Sequence, residues 1–321
     1  MNQKTESLVD KGGIWFSEPI STFAAQVDSL FYFILVISII LFFAIGFVMF
    51  WFMIKYKRSE TRPEASGQLT HNNLLEISWT VIPTILCLFV FYWGYKDFLT
   101  MSIPPVDAME IRVTGQKWFW EFETANNGLK TTGEFAVPVN TPVKLVMTSK
   151  DVIHSLFVPN FRIKRDVVPN RYTRLWFEAE KTGSYKLFCA EYCGDAHSKM
   201  LATVHVLSEE DYDIWVDENL SSDSIPLEVV GKKVFDLKCS VCHSVDGAKK
   251  IGPTWKGLFG SNRTFEDGTS LVADEDYIKE SINDPGAKIV SGYKGIPMSS
   301  FLGSVSDREI EGLIEYIKTL K

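Results

Sequence analysis

Sulfur and imidazole side chains are concentrated in one short segment, FCAEYCGDAHSKM. Cys189, Cys193, His197 and Met200 fall within twelve residues of it. Soft thiolates combined with imidazoles select copper, zinc or iron–sulfur clusters. One further histidine, His154, stands upstream near the end of a predicted strand, where a folded β-sheet could bring it to the segment. The spacing therefore predicts a metal site.

The residue types leave two metals open for this site. Cys189, Cys193, His197 and His154 would make a four-ligand zinc site. Zinc gives no role to Met200, however, and a thioether is a weak ligand characteristic of copper electron-transfer sites. The ligand chemistry favours copper, with zinc as the alternative.

A second motif, CSVCH, contains Cys239, Cys242 and His243. C-x-x-C-H is the attachment pattern of c-type haem, in which the thiols bind the porphyrin covalently and the histidine is the proximal iron ligand. Met298 is the only methionine after Met200, so we predict it as the second axial ligand. Histidine and methionine ligation would raise the reduction potential of the haem.

Two apolar runs precede both motifs. Residues 30–54 contain no charged side chain, and residues 74–95 contain one, Glu76. About 20 apolar residues span a bilayer as a helix. We therefore predict a transmembrane hairpin over 29–98, with helices at about 29–55 and 74–97. Glu76 is a functional candidate as an ionisable residue in a membrane helix, although placement at the membrane surface would explain it equally well.

The distribution of basic residues orients this hairpin. The loop between the helices contains Lys55, Lys57, Arg58 and Arg62, whereas Lys4, Lys11 and Lys96 flank the helices on the other side. The positive-inside rule places the loop in the cytoplasm, and the N-terminal segment 1–28 and the chain after about residue 97 outside. The first 28 residues lack the pattern of a cleavable signal peptide, so we expect the first helix to act as the export signal.

The remainder divides into a β region and a helical region. Short alternating runs at 111–124, 142–149, 173–180, 184–192 and 202–208 predict an antiparallel sandwich or barrel over 105–208. Residues 209–225 read as a short helix and a linker, and 226–321 as an all-α domain. Its last helix starts with a capping-box pattern, Ser306 followed by Glu309. The net charge of −7 and the absence of a basic stripe argue against nucleic-acid binding.

The segments CAEYCGDAHSKM, DVIHSLFVPNFRIKRDVVPNR and GQKWFWEF closely resemble subunit II of cytochrome c oxidase, and the resemblance covers about residues 25–210. It implies a cupredoxin-like barrel that holds the binuclear copper centre CuA. Cys189 and Cys193 would bridge both coppers, and His154 and His197 would bind one copper each. Met200 and the main-chain carbonyl of Glu191 would supply weak axial contacts. On this resemblance copper replaces zinc as the expected metal.

The same resemblance implies three further roles. Trp118 matches an aromatic position through which electrons enter, with packing in an alternating strand as the alternative. The Glu191 side chain matches a magnesium ligand at the interface with the catalytic subunit. Glu76 matches an acid at the cytoplasmic mouth of a proton pathway.

Residues 226–321 resemble a class I cytochrome c in GKKVFDLKCSVCH, IGPTWKGLFG and LIEYIK. The resemblance implies that the first and last helices cross and that a proline flanks the proximal histidine. The residues concerned are Gly231 and Phe235 against Leu313 and Tyr316, and Pro253 in the flanking loop.

Together the resemblances imply the electron-input subunit of a cytochrome c oxidase. Its fused haem c would pass electrons to CuA and on to a haem in catalytic subunit I, where oxygen is reduced to water with proton translocation. A quinol-oxidising complex or a soluble cytochrome c would be the donor. The expected location is a bacterial inner membrane, with the N-terminus and both cofactor domains on the periplasmic side. This chain alone would be an electron relay.

Three alternatives remain at this point. One is the CuA subunit of a nitric oxide reductase. Another is a membrane-anchored copper-delivery or thiol-redox protein, against which Met200, the second spanning helix and the fused haem domain all argue. In the third, Trp118 receives electrons from a mobile carrier and the fused haem has a side role.

Overall fold

The computed structural model describes residues 12–60, 70–220, 225–295 and 298–321. In chain order these residues form two long helices, a β unit, a short connecting helix and a mainly helical C-terminal unit. Lys4, Lys11, Arg62 and residues 221–224 of the predicted linker lie outside the described residues.

Helices α1 (Ala24–Lys55) and α2 (Asn73–Ser102) are both long and apolar enough to cross a membrane, as predicted. They pack as a hairpin in which the ring centroid of Phe33 lies 5.5 Å from that of Phe89. Most of their other apolar side chains are exposed on the isolated chain. Such an exposed apolar surface is favourable in the hydrocarbon core of a bilayer, where it does not contact water.

The helical hairpin is bonded to the β unit through both of its helices. The Arg162 guanidinium pairs with the Asp28 carboxylate of α1 at 2.7 Å (Nε–Oδ1) and 2.9 Å (Nη2–Oδ2). The Trp176 indole donates a hydrogen bond to the Thr100 carbonyl oxygen of α2 at 3.0 Å. Paired bonds of the guanidinium kind fix geometry as well as contributing energy. The β unit therefore has a defined position above the hairpin.

The β unit consists of two five-stranded sheets within the described chain, in the orders β3-β2-β1-β5-β8 and β4-β10-β9-β6-β7. Their inward side chains alternate along each strand and form one core. This is the cupredoxin-like sandwich that the resemblance implied. The strands are β1 (Met109–Gln116), β2 (Phe119–Thr124), β3 (Lys130–Thr132), β4 (Glu134–Pro138), β5 (Pro142–Ser149), β6 (His154–Val158), β7 (Ile163–Val167), β8 (Thr173–Glu178), β9 (Gly183–Cys189) and β10 (Leu201–Leu207).

Two details of the strand prediction are wrong. Pairs β1–β5 and β4–β10 are parallel, so the sheets are mixed rather than antiparallel. The chain switches sheets between β4 and β5, and such crossovers allow neighbouring strands to run in the same direction. The run predicted over 111–124 is also two strands, because the chain turns at Lys117 and Trp118 and β2 pairs back on β1.

The C-terminal unit follows α3 (Glu209–Leu220), which ends where the linker was predicted. Its helices are α4 (Leu227–Val234), continued by a π-helical turn at Phe235–Cys239, then α5 (Glu275–Asn283) and α6 (Asp307–Thr319). The predicted capping box at Ser306 and Glu309 is confirmed. The all-α prediction misses a small hairpin, β11 (Asn262–Thr264) and β12 (Ser270–Val272). Gly268, with a φ of 84°, permits its turn.

Helices α4 and α6 cross where glycines allow the backbones to touch. A Cβ atom on Gly231 would lie 1.9 Å from the Gly312 carbonyl oxygen. Beside the crossing, the rings of Phe235 and Tyr316 pack with centroids 5.7 Å apart. The predicted packing of the first and last helices is therefore confirmed.

We expect Gly231→Ala to destabilise the C-terminal unit by about 3 kcal/mol, because no side chain can move aside to relieve a clash with backbone. Hydrogen exchange of the α6 amides measures the loss. Gly286→Ala is the matched control, since its Cβ would meet only Asp284 Oδ1, at 3.7 Å. Equal protection of α6 in both variants would mean that the crossing tolerates a methyl group.

Candidate functional site

The predicted metal ligands meet at one end of the β unit. Cys189 is the last residue of β9, His154 is the first residue of β6, and these two strands pair with each other. The loop from β9 to β10 carries the other sulfur and imidazole ligands. Ligand atoms of His154, Cys189 and Cys193 all lie within 4.8 Å of one another. Strand pairing thus brings together residues that are far apart in sequence.

The distances between the side chains of this cluster suit a site in which several side chains bind the same metal ions. Cys189 Sγ lies 3.9 Å from Cys193 Sγ and 3.8 Å from His154 Nδ1. Cys193 Sγ lies 3.5 Å from His197 Nδ1 and 3.8 Å from Met200 Sδ. A disulfide would need the sulfurs at about 2 Å. Metal–ligand bonds of about 2.0–2.3 Å place neighbouring donors roughly this far apart, so the residues fit copper.

Glu191 takes part through its backbone. Its carbonyl oxygen lies 3.3 Å from Cys189 Sγ, which brings it to the sulfur cluster as the resemblance implied. Its side chain is exposed and does not belong to the ligand cluster found among the described residues. The magnesium site stays a prediction.

The electrostatics of the sulfur pair favour metal binding. A hydrogen bond from the Cys193 thiol holds the pKa of Cys189 far below its ordinary value, and the same shared proton raises the pKa of Cys193. This hydrogen bond therefore favours the thiolate form of Cys189. The thiolate is the form that binds metals.

Asp151 orients His154, a predicted metal ligand, and the sequence reasoning missed this role of Asp151. Its Oδ1 lies 2.8 Å from His154 Nε2, which leaves Nδ1 facing the sulfurs. Burial raises the pKa of Asp151, but hydrogen bonds from His154 and from the backbone N–H of Lys117 and Val152 outweigh it and hold the pKa below the usual range. The available signal was an acid three residues before a ligand histidine, in DVIH. Such partners fix ring orientation at metal sites.

Trp118 directly contacts the loop between β9 and β10 that contains the predicted ligands. Its indole Nε1 donates a hydrogen bond to the Cys193 carbonyl oxygen at 3.2 Å. The ring covers Gly194, where an added Cβ would lie 3.1 Å from Trp118 Cζ2. Trp118 is therefore in contact with the backbone of a predicted ligand, and its role in electron transfer stays a prediction.

The CSVCH motif forms a tight turn that presents its histidine. The amides of Cys242 and His243 both donate to the Cys239 carbonyl oxygen, at 3.1 and 2.9 Å. The His243 Nδ1 atom lies 2.7 Å from the Pro253 carbonyl oxygen, so Nδ1 carries the proton and Nε2 is left for a ligand. A Cβ on Gly252 would lie 2.6 Å from His243 Cε1, so only glycine fits beside the ring. These features fit a proximal haem ligand.

The apolar surroundings agree with a haem pocket. Burial lowers the pKa of His243, which keeps the imidazole neutral for ligation, and raises the pKa of Cys239 to about 12. Met298 is partly buried and packs on the hydrophobic cluster that includes Phe235 and Trp255. Its role as an axial ligand stays a prediction.

Glu76 lies in the first turn of α2. Its Oε1 accepts a hydrogen bond from the Asn72 backbone N–H at 3.1 Å, while the Asn72 side chain accepts one from Leu75 N–H. These contacts are those of a reciprocal helix cap. They give Glu76 a structural role, and its role in proton uptake stays a prediction.

Three successive parts of the sequence match family models, two of them for domains of the same protein. Residues 10–96 match the transmembrane domain of cytochrome c oxidase subunit II, and residues 125–207 match its periplasmic domain. Residues 229–321 match cytochrome c. Together with the two apolar helices, the first match indicates a membrane-anchored chain.

Curated relatives cover most of the chain. Cytochrome c oxidase subunit 2 of Alkalihalophilus pseudofirmus is 31% identical over an alignment of 306 residues that covers 89% of this chain and 86% of the relative. The subunit 2 of Cereibacter sphaeroides is 31% identical over 64% of this chain and 80% of its own length. The crystal structure of the periplasmic domain of subunit II of cytochrome oxidase from Bradyrhizobium japonicum is 28% identical, covering 37% of this chain and 99% of that one, with a TM-score of 0.36.

We expect Asp151→Asn to weaken copper retention about 10–100-fold, because an amide no longer fixes the His154 ring as a carboxylate does. Titration of the purified protein with a copper chelator measures the change. Asp166→Asn, at an exposed position on β7, is the matched control. Unchanged retention in Asp151→Asn would show that the ring is held without its carboxylate partner.

Proposed function

Because the chain belongs to the cytochrome c oxidase subunit II family, we propose that it is the electron-input subunit of a haem–copper oxidase, with a c-type cytochrome fused to its C-terminus. The observation that carries the proposal is that one chain presents both a sulfur–imidazole cluster and a C-x-x-C-H turn. Each is built on a rigid element. When bound, the copper and haem groups each supply one-electron redox chemistry.

The copper ligands in this proposal are the side chains of His154, Cys189, Cys193, His197 and Met200 with the carbonyl of Glu191. The strands β6 and β9 hold the first two, and Met200 is fully buried. Side chains fixed in this way need to move little when the charge at the site changes. Small reorganisation is what an electron relay requires of its ligands.

In the C-terminal unit, Cys239 and Cys242 would attach the haem, and His243 and Met298 would ligate its iron. The Pro253 carbonyl holds the tautomer of His243, and Gly252 allows the loop to press against the ring. In domain terms, residues 105–208 form the copper domain and 226–321 the haem domain.

The orientation and partners follow from the same family. The loop between α1 and α2 would face the cytoplasm, and both cofactor domains would face the periplasm. The hairpin would dock on the catalytic subunit of the oxidase. Trp118 would carry electrons toward the copper ligands, the Glu191 side chain would bind magnesium at that interface, and Glu76 would serve a proton pathway.

The intact oxidase, purified from its host membrane, tests the proposal. Metal analysis, low-temperature EPR and a haem stain after denaturing electrophoresis are made on one preparation. We expect a pair of coppers that share one unpaired electron, and haem bound covalently to this chain. A zinc ion in place of copper, or a chain without covalent haem, would overturn the proposal.

We expect Cys193→Ser to abolish the shared-electron EPR signal and to slow oxygen consumption roughly a hundredfold, because the hydroxyl cannot replace a bridging thiolate. Covalent haem should be retained, which shows that the chain is folded. Cys87→Ser is the matched control, since Cys87 lies on α2 away from the cluster. Equal activity of the two variants would exclude Cys193 as a ligand.

A further inference from the structure

The hairpin formed by β1 and β2 touches both candidate sites. Trp118 and Phe119 are consecutive, and their side chains pack in different hydrophobic clusters, Trp118 against the core of the β unit and Phe119 in that of the haem domain. Trp118 bonds to the Cys193 carbonyl. Phe119 is 3% exposed and belongs to the hydrophobic core of the haem domain, where its ring stacks on Phe301 with centroids 5.7 Å apart and planes at 13°.

The end of β1 is bonded to the haem domain as well. The Gln116 side-chain amide donates to the Ser300 carbonyl oxygen at 2.9 Å, and its oxygen accepts from Ser304 Oγ at 2.9 Å. Both ends of this buried amide are therefore satisfied across the contact. Such a group would be left without partners if the domains separated, and buried polar groups without partners are costly.

A buried lysine joins the two domains next to these contacts. The Lys238 side chain is 3% exposed, and its Nζ atom lies 3.2 Å from Glu121 Oε1 of the copper domain and 3.7 Å from Glu309 Oε1 of its own domain. Nζ also donates to the Ser304 carbonyl oxygen at 2.5 Å and lies 5.5 Å from the ring centroid of Phe119. A buried charge is tolerated when it is paired, and one carboxylate of this pairing comes from β2.

Weaker contacts surround this centre. Lys233 lies 3.6 Å from Glu134, in an exposed pair worth little by itself. A Cβ on Gly133 would lie 3.0 Å from Leu237 Cδ2, so the surfaces fit closely there. A buried centre surrounded by an exposed polar rim is typical of a specific interface.

We propose that the haem domain is docked on the copper domain in one fixed position, with Lys238 as its buried anchor and the pair Trp118–Phe119 as the bridge between the two sites. This inference rests on the proposed function, which supplies the cofactors. The transfer moves one electron from the reduced haem to the oxidised copper centre, with no bond made or broken. Lys238 is a positioning residue. Because the haem domain packs on Gln116 and Phe119, which lie on either side of the turn that contains Trp118, we expect an outside donor to deliver its electrons to the haem and not to Trp118.

The test uses the intact oxidase with Lys238→Met, which keeps an apolar stem but removes the charge. Lys232→Met is the matched control on the same helix, because Lys232 is exposed and pairs within its own domain with Asp236, at 2.6 Å. The first readout is hydrogen exchange of residues 116–124 and 300–305. In Lys238→Met we expect both segments to exchange about ten times faster than in the wild-type oxidase. In Lys232→Met we expect the exchange rates of both segments to be unchanged. Unchanged protection of Leu313–Thr319 shows that the haem domain remains folded.

The second readout is the rate of electron transfer from haem to copper after photochemical reduction of the haem. We expect it to fall about tenfold in Lys238→Met, because the docked fraction limits the rate. Phe119→Leu removes the stacked ring from the copper-domain side of the interface. It tests the docked position if Lys238→Met does not fold. It should change both readouts in the same direction.

If Phe119→Leu and Lys238→Met both match the control in exchange and rate, the fixed docking is wrong and the proposed function still stands. If the wild-type oxidase holds both cofactors but no electron passes between them, the proposed function itself fails.

Discussion

The approach of two cysteine sulfurs to 3.9 Å is the constraint on which the rest of the β unit depends. Two thiolates this close repel each other, so the pair is stable only with a shared proton or with metal ions between the sulfurs. Cys189 is fixed by the ladder of β9, which pairs with β6 and β10. Cys193 is fixed by its loop. One sheet therefore positions the first sulfur, and the loop between β9 and β10 positions the second.

The hydrogen bonds of Asp151 connect this distance to the hairpin. One oxygen faces His154, while the other accepts from the backbone N–H of Lys117, the residue before Trp118. The orientation of His154, a proposed metal ligand, and the position of Trp118, the proposed bridge, therefore depend on the same carboxylate. The hydrogen bonds of Asp151 therefore contribute both to the order of the proposed copper site and to the contact with the haem domain.

The interface between the domains differs from the surface ion pairs elsewhere on the chain. Lys318 and Glu275 pair at 2.7 Å with the glutamate 61% exposed, and pairs of that kind contribute little because water and salt screen them. The Lys238 side chain is buried, so its charge must be paired with the Glu121 carboxylate at a fixed position. A buried charge of this kind selects one geometry, even where it adds little net stability.

The sequence by itself determined the ligand types, the C-x-x-C-H motif, the two apolar helices and the capping box, because each depends on neighbouring residues and on composition. It also placed β1, β2, β5, β8, β9 and β10 near the correct residues, but it missed β3, β4, β6 and β7. Only the tertiary structure decided the parallel pairings, the turn at Trp118, and the roles of Asp151, Gln116 and Lys238. In sequence these three are an ordinary acid, amide and lysine. Their roles arise from burial and from partners across strands and domains, and local patterns do not encode which distant groups will meet.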